Sequence, residues 1–283
     1  MEETDPVESE LKEKKKDLVV IALTDHTPNG DAAISHAVAI CMIFKAELCI
    51  LPLNPEPKQF SDSFLNALQV AKKQGIIITQ HPFKSHLQRD IHDFADSINA
   101  MMIVISVSQE NSKSYFTPRK ALRWILPSRL PVLAVGGTYP QPHAYQSVIL
   151  PLDSSVYAKE KALWAGYFNR FYQSEIHIIY KQYRDSYLAE KVKANLQFTK
   201  KIYGNLDISY QTHALPDTWE EIERCAYHFA PEVKATLAVC MTTKYPTVGD
   251  WLFGRKEKKI FKYLDELPYL FINPRDDLYV LCT

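Results

Sequence analysis

Short apolar, β-branched runs alternate with amphipathic stretches along most of the chain. The run Leu18-Val19-Val20-Ile21-Ala22-Leu23 follows a charged segment ending in Lys14, Lys15, Lys16 and Asp17, and stops at Thr24-Asp25-His26-Thr27-Pro28-Asn29. A short continuous apolar run bounded by turn formers predicts a buried strand. From Ala33 the apolar positions Ala37, Ile40, Cys41 and Phe44 recur at helical spacing, the stripe of a helix lying on a sheet. A strand over 46–53 follows, then a helix through Phe60, Phe64, Leu65, Leu68 and Ala71 that Gly75 is placed to end as a left-handed cap. The pattern continues with a strand over 76–79, a helix carrying Ile91, Phe94, Ala95 and Ile98, a strand over 101–107, a helix over 117–126 and a strand over 131–135. Two glycines, two prolines and polar residues between Gly136 and Tyr145 read as a linker.

After that linker the same order returns. A strand over 148–152 runs into Asp153-Ser154-Ser155, and a helix follows with Ala158, Ala162, Ala165 and Phe168 on one side. Then come a strand over 176–180, a helix from about Tyr187 to near Gly204, a strand over 206–210, a helix over 219–229, a strand over 236–241, a helix over 251–264 and a strand over 269–272. Asp25 and Asp153 hold the same place in the two copies, and Pro131 and Pro268 each open the last strand. An internal repeat of this length is one structural unit written twice. Strands alternating with helices pair in parallel through right-handed crossovers, so the expected class is α/β, with two tandem doubly wound parallel sheets. The expected division is a charged tail over 1–16, a first domain over 17–138, a linker over 139–145, and a second domain over 146–283 with a short C-terminal extension.

Charge narrows the function classes. Thirty-three Lys and Arg against 33 Asp and Glu leave no net field to hold nucleic acid or an anionic membrane, so neither is an expected partner. No apolar run reaches the roughly 18 residues of a spanning helix, and the acidic start from Met1 to Glu13 lacks a signal peptide's features, which predicts a cytoplasmic protein. Cys41, Cys49, Cys225, Cys240 and Cys282 are scattered through apolar stretches and read as reduced thiols. Cys225 and His228, on one helical face, come nearest to metal spacing and could share a site with Cys240. No second closely spaced pair accompanies them, so packing accounts for them better and no metal is expected.

At the level of motifs, Val148-Ile149-Leu150-Pro151-Leu152-Asp153-Ser154-Ser155 resembles the opening strand and Asp-containing turn of the universal stress protein family, and Leu23-Thr24-Asp25-His26-Thr27 resembles a more distant copy. Pro131-Val132-Leu133-Ala134-Val135 and Pro268-Tyr269-Leu270-Phe271-Ile272 are similar to its closing strand. The resemblance covers roughly 17–138 and 145–275. It implies an adenine nucleotide alpha hydrolase-like fold in each half and a pseudo-dimer of the halves through their last strands. In nucleotide-binding members a Gly-x2-Gly-x9-Gly-Ser/Thr stretch cradles phosphates, because backbone N–H groups must approach them closely. The matching first-half segment, Ser106 to Ser114, has no glycine, and Pro118 and Arg119 fall near the last glycine and the hydroxyl. In the second half Gly254 takes the last glycine's place, Arg255 replaces the hydroxyl residue, and Met241 and Lys244 stand at the first two glycine positions.

The resemblance therefore implies that the first nucleotide site is lost, and it makes Asp153, Lys244, Gly254 and Arg255 the candidate ligand residues of the second. Asp153 either contacts a ribose or a metal-phosphate group at the strand ends or, with Ser154 and Ser155, caps the next helix, and Asp25 carries the same two readings. The basic cluster Lys244, Arg255, Lys256, Lys258 and Lys259 either substitutes charged donors for the missing cradle or forms a solvated helix face. His26 and His213 are the histidines placed near a pocket mouth. No Gly-x-Ser-x-Gly elbow and no Gly-x4-Gly-Lys-Ser/Thr loop occurs, and neither first turn is Gly-rich, so no catalytic residue is assigned. The expected function is a non-catalytic cytoplasmic stress-response protein, a pseudo-dimeric interaction or regulatory module that needs no cofactor. Its partners are its own second domain, an unidentified protein and a second copy of itself. The alternative is a sensor binding one ATP, ADP, AMP or other small anion in the second half.

Overall fold

Residues 18–55, 59–82, 87–108, 113–218, 220–243 and 256–274 are described by a computed structural model. In the first half β1 (Val19–Thr24), α1 (Pro28–Phe44), β2 (Glu47–Pro52), α2 (Asp62–Lys73), β3 (Ile78–Gln80), α3 (Leu87–Ser97), β4 (Ala100–Ser106), α4 (Pro118–Ile125) and β5 (Val132–Val135) follow one another. The second half repeats them as β6 (Ser147–Leu152), α5 (Ala158–Tyr172), β7 (Glu175–Gln182), α6 (Ser186–Asn205), β8 (Tyr210–Pro216), α7 (Ile222–Phe229), β9 (Leu237–Met241), α8 (Lys256–Ile260) with a 3-10 turn over Phe261–Tyr263, and β10 (Tyr269–Ile272). Helix ends follow local chemistry. Thr27 caps α1 by accepting the Gly30 N–H, with Pro28 at the first helical position, and Gly75 after α2 has φ +72°.

The strands form one ten-stranded sheet in the order β3-β2-β1-β4-β5-β10-β9-β6-β7-β8. Every pairing is parallel except β5 with β10, which run antiparallel with Leu133 opposite Leu270. The second half is thus the first half's strand order reversed across the β5–β10 seam, the arrangement of a pair related by an internal two-fold, and the halves meet through their last strands as the resemblance implied. The strands at the centre are buried on both faces, which is why they read as unbroken apolar runs rather than alternating ones. One core layer packs Val20, Ile40, Phe44, Leu150 and Phe168 under α1, α2, α5 and α6, and the other packs Ile21, Trp124, Ile149, Phe261 and Phe271 under the remaining helices. Phe44 of α1 meets Phe168 of α5 edge-on at 5.2 Å, joining the halves above the seam.

Polar bonds fix the same junction. Gly136 N–H donates to the Leu264 carbonyl at 3.1 Å, Gly137 N–H to Asp265 Oδ1 at 2.7 Å, and Thr138 Oγ1 to the Asp265 carbonyl at 2.9 Å. A Cβ at residue 136 would stand 2.6 Å from the Asp265 nitrogen, so this approach admits only glycine. From the other side Asn273 Nδ2 donates to the carbonyls of Ile125 and Ser128, at 2.5 and 2.7 Å, and so serves the open C-terminal end of α4.

Some element boundaries differ from expectation. The strand expected over 206–210 begins at Tyr210, because α6 runs to Asn205 and Asp207 then turns with φ +53°. The helix expected over 219–229 begins at Ile222. Of the one expected over 251–264, residues 251–255 lie outside the described residues, and the remainder is α8 and its 3-10 turn.

Candidate functional site

In open α/β sheets ligands enter at the carboxyl ends of strands where the strand order reverses. Here those points lie between β1 and β4 and between β6 and β9.

At the first, the chain's own groups span the crevice. Asp25 Oδ1 accepts from the Thr27 N–H at 3.0 Å and the Thr27 hydroxyl at 2.5 Å, while Oδ2 accepts from the Tyr115 N–H at 2.5 Å. Asn29 Nδ2 donates to the hydroxyls of Ser108 and Ser114, which lie 2.9 Å from each other. The turn after β1 is therefore tied to the segment leading into α4. Asp31, buried in the first turn of α1, takes a hydrogen bond from Ser61. Burial raises its carboxyl above the ordinary value, against that hydrogen bond and nearby His26, which lower it. Two carboxylates thus stand at the N-terminal end of α1, where a phosphate would otherwise be favoured, and each repels an anion. Asp25→Ala is expected to cost about 1–3 kcal/mol, since it strands the Tyr115 N–H and both Thr27 donors. Denaturant unfolding of the variant measures this, and an unchanged midpoint would show that these bonds are replaced by water at no cost.

At the second point Asp153 Oδ1 accepts from the Ser155 N–H at 3.1 Å, the same turn that Asp25 makes with Thr27. Asp153 does not cap α5: Tyr157 holds the cap position, with no side-chain cap bond. Asp153 Oδ2 instead lies 3.7 Å from Lys161 Nζ. Lys161 is fully buried, makes no hydrogen bond among the described residues, and has Glu223 Oε1 3.9 Å away on its other side. Glu223 is also buried and accepts from Lys256 Nζ at 2.7 Å. Burial raises the Glu223 carboxyl, but the Lys256 and Lys161 ammoniums and the Lys256 hydrogen bond outweigh it and hold the pKa well below the usual carboxylate range. Burial lowers Lys256, and Glu223 more than reverses this, so Lys256 stays charged. The crevice floor is an alternating row, Asp153, Lys161, Glu223, Lys256, in which each cation faces a carboxylate.

That row changes two expectations. Lys256 is no part of a solvated helix face, and its charge is taken by Glu223. Asp153 faces Lys161 and its own turn. Lys244, Gly254 and Arg255 lie outside the described residues. His213 is inside β8 rather than at a strand mouth, with Nε2 3.1 Å from His177 Nδ1, and His26 packs edge-on against Phe60 at 5.5 Å. Cys225 and His228 both approach Glu220, and among the described residues no three His, Cys, Asp or Glu side chains are arranged to hold a metal ion. Lys161 and Glu223 were missed by sequence reasoning, although both fall on the buried stripes of α5 and α7.

Solved structures share this architecture. A universal stress protein from Archaeoglobus fulgidus DSM 4304 superposes with a TM-score of 0.65 at 15% identity, over 92% of this chain and 97% of that one. A putative universal stress protein from Pseudomonas aeruginosa UCBPP-PA14 gives 0.61 at 16% identity, over 94% and 96%. The chain has the universal stress protein fold. Its two halves are tandem copies within one sheet. The universal stress protein fold as seen here is also similar to the cytoplasmic domain of a prokaryotic cation chloride cotransporter, with a TM-score of 0.52 at 12% identity over 91% and 95% of the two chains. No family model and no curated protein matches the sequence. Among the described residues no helix is long and apolar enough to cross a membrane.

Proposed function

We propose that this chain is a non-catalytic stress-response protein of the cytoplasm, in which domains over 17–138 and 146–283, joined by 139–145, act as an internally paired interaction or regulatory module. The observation that carries this reading is the bridging of the first crevice by Asp25, Asn29, Ser108, Ser114 and the Tyr115 N–H, groups that would have to part before a ligand entered. The pairing supports it as well. Holding both copies in one chain keeps the seam partner at an effective concentration of millimolar or more. A fold that also serves as a transporter's cytoplasmic domain is not bound to one chemistry.

Calorimetry of the purified chain with ATP, ADP and AMP tests it. No heat at millimolar nucleotide, and no release of phosphate from ATP, is the expected result. Turnover above the buffer rate would overturn the non-catalytic reading.

A second reading rests on Gly254 and on the cations Lys244 and Arg255 beside it in the sequence: a small-anion sensor with Asp153, Lys244, Gly254 and Arg255 around one ligand. It predicts one nucleotide per chain, weakened by salt and by Asp153→Ala and unchanged by Asp25→Ala. A stoichiometry of two would overturn both readings, since each closes the first crevice.

A further inference from the structure

A groove of about 590 Å³, lined by none of the side chains that span either crevice, opens on the face covered by α1 and α2. Val38, Ala39 and Met42 of α1 form one side, Ala67 and Val70 of α2 another, and the strap over 139–144 a third, with Tyr172 at the end of α5 closing the far end. Met42 and Val70 are 44% and 45% exposed, so their apolar surface lies open within it. Among the described residues the lining includes Ser35, Asn66, Gln141 and His143 but no Asp, Glu, Lys or Arg.

The third wall is built rather than loose. Thr138, just before the strap, and Tyr145, just after it, are both held by one side chain of α1: His36 Nε2 lies 3.1 Å from the Thr138 carbonyl and Nδ1 2.5 Å from the Tyr145 hydroxyl. Within the strap the Ala144 N–H donates to the Gln141 carbonyl at 2.9 Å, and Pro140 and Pro142 restrict the backbone further. A wall pinned at both ends keeps the groove open without an occupant, which lowers the ordering cost of filling it.

We propose that this groove binds a neutral, largely apolar small molecule carrying one or two hydrogen-bonding groups. Its volume falls within the roughly 300–1,000 Å³ of small-molecule sites, and apolar walls with a few polar groups are their usual composition. With no lysine or arginine in the described lining and His143 as its one titratable side chain that can carry positive charge, the groove disfavours nucleotides and other anions, whose charge would be desolvated with little to pair it. A concave space between two helices and a strap suits a compact ligand better than the flat face of a second copy. The site is separate from the strand-end crevices, so it stands or falls independently of the function proposed above.

The test uses the full chain and two fluorescent probes of similar shape, neutral N-phenyl-1-naphthylamine and its anionic relative 8-anilinonaphthalene-1-sulfonate. Saturable binding of the neutral probe at one site per chain is expected, at least tenfold tighter than the sulfonate. Met42→Glu and Val70→Glu place carboxylates in the groove at partly exposed positions the fold does not depend on, and each should weaken the neutral probe at least tenfold. Leu163→Glu, an exposed apolar position of α5 outside the groove, should leave it unchanged. No saturable binding, equal binding of both probes, or undiminished binding by the Met42 and Val70 variants would overturn the proposal. So would a wild-type dimer that Val70→Glu converts to monomer, because the groove would then be covered by a second copy.

Discussion

Replacing Glu223 with glutamine is expected to lower the stability of the chain by about 3–5 kcal/mol, the usual consequence of removing one partner from a buried ion pair. Glu223 is the only carboxylate within 4 Å of both Lys161 and Lys256 among the described residues, and Lys161 is fully buried with no hydrogen bond to fall back on. Without the negative charge, two ammoniums face each other across a neutral amide. Asp153 remains beside Lys161 but is partly solvated and belongs to a turn of its own. The companion experiment separates charge from volume. Changing Lys161, Glu223 and Lys256 together to methionine removes the charges and keeps much of the apolar contact, and should recover most of the loss, because a well-packed apolar replacement for a buried ion network is often neutral or stabilising. Urea unfolding of the single and triple variants decides it. If Glu223→Gln unfolds at the wild-type midpoint, the row of charges contributes nothing to the folded state. The same row has a pH signature. Because the Glu223 carboxyl is held below its ordinary value of 4.5, its contribution is complete above that value and is lost as the pH falls below it. The Glu223→Gln chain should lack that acid limb.

The repeat was readable because burial on both faces leaves a strand no choice but a continuous apolar run, and Val19–Thr24 and Ser147–Leu152 each end at an Asp-containing turn. Where one face is open the signal weakens. β8 is an edge strand whose Gln211, Thr212 and Ala214 are exposed, so its polar residues read as loop and the apolar Leu206 and Ile208 upstream read as strand. Ile208 is buried, but against Gly166 of α5 and not in the sheet. The crevices were harder still. That Asp25 and Asp153 stand at strand ends follows from the motif. That Tyr115 would bring its N–H to Asp25 depends on the path of a segment with no periodicity, and Lys161 meets Glu223 from a helix sixty residues away in sequence. The one local sign was a titratable residue on an apolar stripe: Lys161 between Ala158 and Ala165, Glu223 beside Ile222 and Ala226, and His36 beside Ala33 and Ala37. Each of these three is a buried polar group whose partner lies on another element.

His36 turns that sign into a measurable effect. Its Nε2 faces the Thr138 carbonyl and must carry the hydrogen, which leaves Nδ1 of the neutral ring to accept from the Tyr145 hydroxyl; protonation would keep the first bond and remove the second acceptor. Burial lowers its pKa from 6.5 to about 4, with the Thr138 bond opposing the shift. Between those values the unfolded chain takes up a proton that the folded chain refuses. The His36 contribution is therefore complete above pH 6.5, declines as the pH falls through the window, and levels off below 4, a loss of about 3 kcal/mol in all. His177 and His92, also lowered chiefly by burial, slope the same way, so the total slope does not isolate His36. His36→Gln does. A glutamine amide keeps a donor for the Thr138 carbonyl and an acceptor for Tyr145 but does not titrate. Unfolding free energies measured from pH 7 to pH 4 should show the wild type losing about 3 kcal/mol more than His36→Gln, and both chains should converge in slope above pH 7. Parallel curves across the whole range would mean that the ring takes up its proton as readily in the folded chain as in the unfolded one. The strap between the halves would then be held by something other than a neutral histidine.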